Sequence, residues 1–151
     1  MSASRWRRLF AVVVAAASVF ACRRHEDLAR ETLDALVRAA HERNAADFFD
    51  RIASDFQGAD GSSRADAQTL VRRYFAGYEI LDVTVSDVVV EKSENAARVR
   101  FRAEMSGQPR KIGGLEGLLP RSSSYDFDMR LVPEDGKWKV AWAAWNPRGG
   151  G

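Results

Sequence analysis

From residue 26 to about residue 43, apolar side chains recur every three or four positions. Ala29, Leu33, Leu36, Val37 and Ala40 form a single stripe, the period of a helix buried along one face. On the other face Glu26 stands four residues before Arg30 and Asp34 four before Arg38, the acid-first order that best supports a helix. Asn44 followed by Asp47 is a capping arrangement, and it predicts a second, shorter helix with Phe48, Phe49 and Ile52 on its apolar side. The stretch DFQGADGSSRAD, with Gly58 and Gly61, then breaks the period and reads as a turn or short strand. Ser63, three residues ahead of Asp66, forms a capping box for a third helix. The stripe of that helix is Leu70, Val71, Tyr74, Phe75 and Tyr78, and Gly77 marks its end.

After Glu79 the period falls to two. VTVSDVVVEK, ARVRFRAEM, SYDFDMRLV and KWKVAWAAW predict four long strands, with turns at Asn95 and in PEDG. Helices first and antiparallel strands afterwards predict an α+β fold, with three N-terminal helices packed on one face of a curved antiparallel sheet. Alternation also assigns the faces. Val99, Phe101, Ala103 and Met105 share one side of their strand, Tyr125, Phe127, Met129 and Leu131 one side of the next, and Trp138, Val140 and Trp142 one side of the last. These sets must meet the helices, so Arg98, Arg100, Arg102, Glu104, Asp126, Asp128, Arg130, Lys137, Lys139 and Ala141 face outward. Arg100 and Arg102 against Asp126 and Asp128 predict cross-strand pairs on that outer face, worth about 0.2–1 kcal/mol each.

Charge changes the picture at the N-terminus. Residues 1–21 carry Arg5, Arg7 and Arg8, no acid, and an apolar run from Leu9 to Ala21. That is the pattern of an export signal, and the run is shorter than the roughly 20 residues a spanning helix needs. The whole chain has 23 basic and 21 acidic residues, a net +2; without the three arginines of the signal it has 20 against 21, a net −1. A mature chain of that charge lacks the basic surface that nucleic-acid binding requires.

The single cysteine, Cys22, follows Val19, Phe20 and Ala21. Val19, Ala21 and Cys22 resemble the lipobox of bacterial lipoproteins, with Phe20 where that family usually has a small residue. The resemblance implies cleavage before Cys22, a diacylglycerol on its sulfur and an acyl chain such as palmitate on its amine. It would thus be a periplasmic-side lipoprotein held by its N-terminal lipid. Arg23 stands where an aspartate would signal inner-membrane retention, which favours the outer membrane. Ordinary signal cleavage, leaving a free N-terminal Cys22, is the other reading of the same residues.

The order of elements (long helix, short helix, DF.G..G..R turn, third helix, long strands closing on EDGKWKVAWAAW) resembles the nuclear transport factor 2-like, or cystatin-like cone, superfamily over about residues 26–147. Asp135, Gly136, Trp138 and Val140 carry the closing motif. The resemblance divides the chain into a signal (1–21), a lipidated tether (22–25), the domain (26–147) and a disordered tail (148–151). It implies a sheet curled around the long helix, with a pocket inside the cone. In family enzymes such as ketosteroid isomerase and scytalone dehydratase, that pocket presents Asp, His and Tyr groups.

Here the inward positions are nearly all apolar, and the candidate pocket is Phe48, Tyr74, Tyr78, Phe101, Phe127, Trp138 and Trp142. No catalytic residue and no cofactor is assigned. His25 lies at the tether and His41 at the end of the long helix, where a cation suits the helix dipole. They are sixteen residues apart without a third ligand, so no metal site is expected. Asp55 and Arg64 are candidates for an ion pair locking the turn onto the third helix. GQPRKIGGLEGLLPRSSS, residues 107–124, is too apolar at Ile112, Leu115, Leu118 and Leu119 for a plain solvated loop. It reads as a lid, a partner-docking segment or a cap on the core. The resulting expectation is an exported, lipid-anchored, non-catalytic module binding a small apolar ligand or a partner protein. The alternatives are an isomerase or dehydratase, with Tyr74 or Tyr78 as hydrogen-bond donor and Asp55 as base, and a structural module forming a homodimer through the outer sheet face.

Overall fold

The computed structural model describes residue 24, residues 26–111 and residues 120–149. The expected export signal, Cys22, His25 and the apolar part of the 107–124 segment with Ile112, Leu115, Leu118 and Leu119 lie outside the described residues.

Helix α1 occupies residues 26–42 and buries Ala29, Leu33, Leu36 and Ala40, as its stripe requires. It closes with Arg43 N donating to Ala40 O (3.0 Å) and Asn44 N to Ala39 O (2.9 Å) around a left-handed Arg43 (φ 52). This paired closure satisfies the last carbonyls of a helix, and glycine is its usual left-handed residue. Helix α2 (Ala45–Asp50) starts at Asn44, whose side chain accepts from Asp47 N at 3.1 Å. Helix α3 (Arg64–Gly77) begins with the Ser63–Asp66 capping box, both halves formed.

One element that the sequence left open as a turn or short strand is a strand, and the residues at its edge were misassigned. Strand β1 (Ile52–Gly58) lies between α2 and α3, so Ile52 opens a strand and does not continue the helix. Ile52 and Ala53 are both buried, which the end of a one-sided helix does not provide. Likewise Tyr78 is the cap of α3 and the first residue of β2 (Tyr78–Lys92), with no loop between them. Strands β3 (Ala97–Pro109), β4 (Ser122–Glu134) and β5 (Lys137–Pro147) follow. The sheet order is β1-β5-β4-β3-β2, with β1 parallel to β5 and the other pairs antiparallel. The sheet is therefore mixed and five-stranded, four long antiparallel strands plus one short parallel edge. Left-handed Asp135 (φ 54) and Gly136 (φ 74) make the tight turn from β4 to β5.

The core is the stripe of α1 against the inner sheet face: Leu33 and Leu36 meet Val99, Met129, Leu131 and Val140. Inside it, the fully buried Thr32 donates its hydroxyl to Trp138 O at 2.7 Å, tying α1 to β5.

One irregularity overturns a face assignment. Leu131 pairs with Val140, but Arg130 pairs with Trp142, so β5 carries one extra residue, Ala141, between them. An added residue flips everything beyond it to the other face. Trp142 therefore lies opposite the outward Arg130 and beside the exposed Gln57 of β1, not inside the cone. Ala141 and Lys139, assigned outward, are both nearly buried (7 % and 8 % exposed). Arg148, assigned to the tail, is tied down: its N–H donates to Ser124 O at 2.8 Å and its guanidinium reaches Asp126 at 2.7 Å.

Candidate functional site

The hairpin turns at residues 93–96 and 135–136 mark one end of the sheet. At the opposite end, the start of β2, the end of β3, the start of β4 and the end of β5 come together. The centre of that end is Tyr78. It is 1 % exposed, its ring lies 4.9 Å from that of Tyr74, and its hydroxyl donates to Pro120 O at 2.7 Å. The one-turn spacing of Tyr74 and Tyr78 brings the rings together, even though Tyr78 has left the helix. Gly107 on β3 makes room: a Cβ there would stand 2.6 Å from Tyr78 Cδ1 and 2.6 Å from Ile80 O. Burial, together with the neighbouring Tyr74 and Tyr125 hydroxyls, pushes the Tyr78 phenol well above its usual range. All three tyrosines of the chain thus converge on this corner. Alternation had placed Tyr125 inward, but only the folded sheet shows that it belongs with the other two.

The candidate pocket residues divide into groups. Phe48 is half-buried and meets Phe75 edge-on at 5.8 Å, in the same small cluster as Tyr74 and Tyr78. Phe101 and Phe127 are stacked across β3 and β4 at 5.1 Å, and Tyr125, 6.1 Å from Phe127, links them to the tyrosine corner. Trp138 packs with the main core beneath α1, and Trp142 is on the outer face. A single pocket lined by all seven residues is therefore not formed.

Candidate acid–base groups do not gather there. Asp55 is exposed on β1, at the far edge of the sheet from β2. Arg64 does not pair with it: the guanidinium sits 5.3 Å over the Phe49 ring and donates to Phe49 O at 3.1 Å. His41 fastens α1 to the edge strand, with Nε2 2.9 Å from Val83 O and Nδ1 3.2 Å from an Asp82 carboxylate oxygen. Among the described residues no group of three His, Cys, Asp or Glu side chains could hold a metal ion.

The outer face carries a shallow depression of about 280 Å³, bordered by Asp87, Arg100, Arg102, Asp126, Asp128 and Asn146. Arg100 and Arg102 stand directly across from Asp128 and Asp126, as expected. The head groups, however, pair mostly on the diagonal. Arg98 grips Asp128 with two bonds (2.9 and 2.5 Å), Arg100 reaches Glu91, and Arg102 lies 3.0 Å from Asp87 and 3.8 Å from Asp126. The Arg98 hydrogen bonds hold the Asp128 carboxyl below the usual carboxylate range. These charges are paired within the chain, although the buried Arg102 Nε has no hydrogen-bond partner among the described residues.

A long helix cradled by a curved sheet, with an aromatic corner at the end away from the hairpin turns, defines an NTF2-like cone. The chain belongs to the family of NTF2-like N-terminal transpeptidase domains, whose model matches residues 29–145. No curated protein matches it in sequence. Among solved structures, a candidate scytalone dehydratase from Novosphingobium aromaticivorans superposes with a TM-score of 0.70 at 12 % identity, over 83 % of this chain and 85 % of that one. A candidate dehydratase of the NTF2-like family from Streptomyces avermitilis gives 0.69 at 12 % identity, over 82 % and 97 %. A protein of cystatin-like fold from Nostoc punctiforme gives 0.63 at 12 % identity, over 82 % and 90 %. At such identities the fold is what is shared.

Proposed function

We propose that the chain is a non-catalytic binding module whose tyrosine corner takes a small ligand with an apolar body. The observation that carries this reading is Tyr78, a buried phenol flanked by Tyr74 and Tyr125 at the end of the sheet away from the hairpin turns. An aromatic wall with a few placed hydroxyls is the usual make-up of a small-molecule site. A dehydratase or isomerase would add a carboxylate or imidazole beside those hydroxyls, and Asp55 and His41 lie elsewhere. Native mass spectrometry of the full chain tests the reading. A small apolar adduct should be retained by the wild type and lost in Tyr74→Ala. Equal retention by Tyr74→Ala, or no retention and no thermal stabilisation across a panel of apolar ligands, refutes it.

We also propose that the protein is exported and anchored through lipid on Cys22, on the periplasmic side and in the outer membrane. Val19, Ala21 and Cys22 at the end of the Leu9–Ala21 apolar run support this. Several acyl chains at about 0.8 kcal/mol per buried CH₂ would hold the domain firmly. Cys22→Ser should abolish incorporation of labelled palmitate, and continued labelling of that variant would rule the site out.

A further inference from the structure

At the back of the tyrosine corner, two guanidinium groups meet on one oxygen. Arg43 Nη1 donates to Tyr78 O at 2.6 Å, and Arg110 Nε donates to the same carbonyl at 3.2 Å. Arg110 is held there by its backbone, whose N–H donates to Gly77 O at 2.8 Å. Most other arginine head groups that form bonds in the described structure end on carboxylates: Arg30 on Glu26, Arg51 on Glu31, Arg98 on Asp128 and Arg148 on Asp126. Arg64 ends on a carbonyl too, but a phenylalanine ring covers it. Among the described residues, neither Arg43 nor Arg110 meets an acid. Two cations drawn to one neutral acceptor repel each other, and no other described residue accepts from their remaining N–H donors.

Arg43 is also held in a conformation its side chain disfavours. It is the left-handed residue that closes α1 (φ 52), where glycine has the freedom to sit and arginine does not. Local strain of this kind persists where the surroundings fix it and is often found at binding sites. Here it aims a guanidinium at the residue whose ring carries the aromatic corner.

We infer that this corner binds a carboxylate with an apolar or aromatic body. The carboxylate sits between Arg43 and Arg110, and the body lies along the half-buried Tyr74 and Tyr125, with Tyr78 packed behind them. Guanidinium forks match carboxylate oxygens in shape and charge, and an anion between the two relieves their repulsion. The inference rests on the proposed binding role and adds to it the charge and chemistry of the ligand's head.

The test is calorimetric titration of the full chain with three probes: 4-phenylbutyrate, 4-phenylbutanol and acetate. The acid should bind at least tenfold more tightly than the alcohol of the same body, and acetate alone should not bind measurably. Arg43→Gly should keep the fold, because glycine relieves the left-handed backbone, and should reduce the acid-to-alcohol ratio toward one. Arg110→Gln should do the same from the other side. Equal binding of acid and alcohol by the wild type, or an unchanged ratio in both variants, overturns the carboxylate site while leaving the apolar-ligand reading standing. If neither body-bearing probe binds, both fall together.

Discussion

Glu134 is the side chain that joins the short parallel strand to the β4–β5 hairpin. Its carboxylate accepts Ser54 N–H at 3.1 and 3.3 Å, accepts the Ser54 hydroxyl at 3.3 Å, and lies 3.3 Å from Lys139 Nζ. Lys139 is 8 % exposed; burial works against its charge, yet Asp135 and Glu134 hold the ammonium above its usual range. Glu134→Ala removes a charge-assisted bond worth about 1.5–3 kcal/mol, taken at the low end because water can reach the exposed Ser54 N–H. Lys139 keeps Asp135 and loses one of its two carboxylates, so the total is about 2 kcal/mol. An ordered body of roughly 120 residues unfolds with about 0.25 kcal/mol/K, so Tm should fall by about 8 °C. Glu134→Gln keeps a neutral acceptor for Ser54 and should cost about half as much. The pH dependence separates this account from simple loss of packing. The Ser54 N–H bond, followed by Lys139, lowers the folded pKa of Glu134. A lowered folded value means the stabilisation is complete above the unfolded value of about 4.3 and fades as pH drops through the folded one. In melts followed by circular dichroism, the Tm gap between wild type and Glu134→Gln should therefore hold at neutral pH and narrow below about pH 4.3. A gap that stays constant or widens in acid, or an unchanged Tm for Glu134→Ala at pH 7, refutes the reasoning.

Trp138 and Trp142 test the extra residue in β5: Trp138→Ala should cost about 3–5 kcal/mol in urea unfolding, as a core position does. Trp142→Ala on the outer face should cost on the order of 1 kcal/mol, and equal costs would put Trp142 back inside. Gly107→Ala, whose Cβ would press on Tyr78 and the Ile80 carbonyl, should cost about 1–3 kcal/mol by denaturant titration. A neutral result there would show that Tyr78 does not lie against β3.

Local signals were legible in the sequence, and signals that need a distant partner were not. Asn44 with Asp47 and Ser63 with Asp66 are self-contained capping bonds, so both helix starts could be read from spacing. Strand β1 could be read only as a turn or short strand, because its partner is the distant β5, with Ile52 opposite Val140 and Gln57 opposite Trp142. Parallel pairing leaves no hairpin turn to mark it. The reversal at Ala141 was hidden for another reason. KWKVAWAAW alternates plausibly in either register, and alanine is at home on both faces, so only the pairing with Arg130 and Leu131 reveals the extra residue. The outer ion pairs were right in register and wrong in partner, since an arginine's reach covers the diagonal neighbour as well as the one opposite. Nothing in the sequence marks Arg43, because a left-handed helix closure is normally announced by glycine or asparagine.

Arg43 and Arg110 at the tyrosine end are held differently from the cations of the hairpin end, and that contrast carries the functional argument. At the hairpin end, Lys139 sits between Glu134 and Asp135, Lys137 bonds Asp50 at 2.5 Å, and Arg51 lies 3.4 Å from Glu31. Each cation there has an acid from a neighbouring element, so the end is fastened and offers little to an outside ion. At the tyrosine end, Arg43 and Arg110 share a backbone carbonyl, and Tyr78 spends its hydroxyl on Pro120 O. Had the fold needed those cations only as fasteners, a carboxylate on either side would have bound them more strongly, as it does at the other end. Their convergence on a neutral oxygen, beside an aromatic wall and held partly by a strained residue, leaves a place for a negative charge that no described residue supplies.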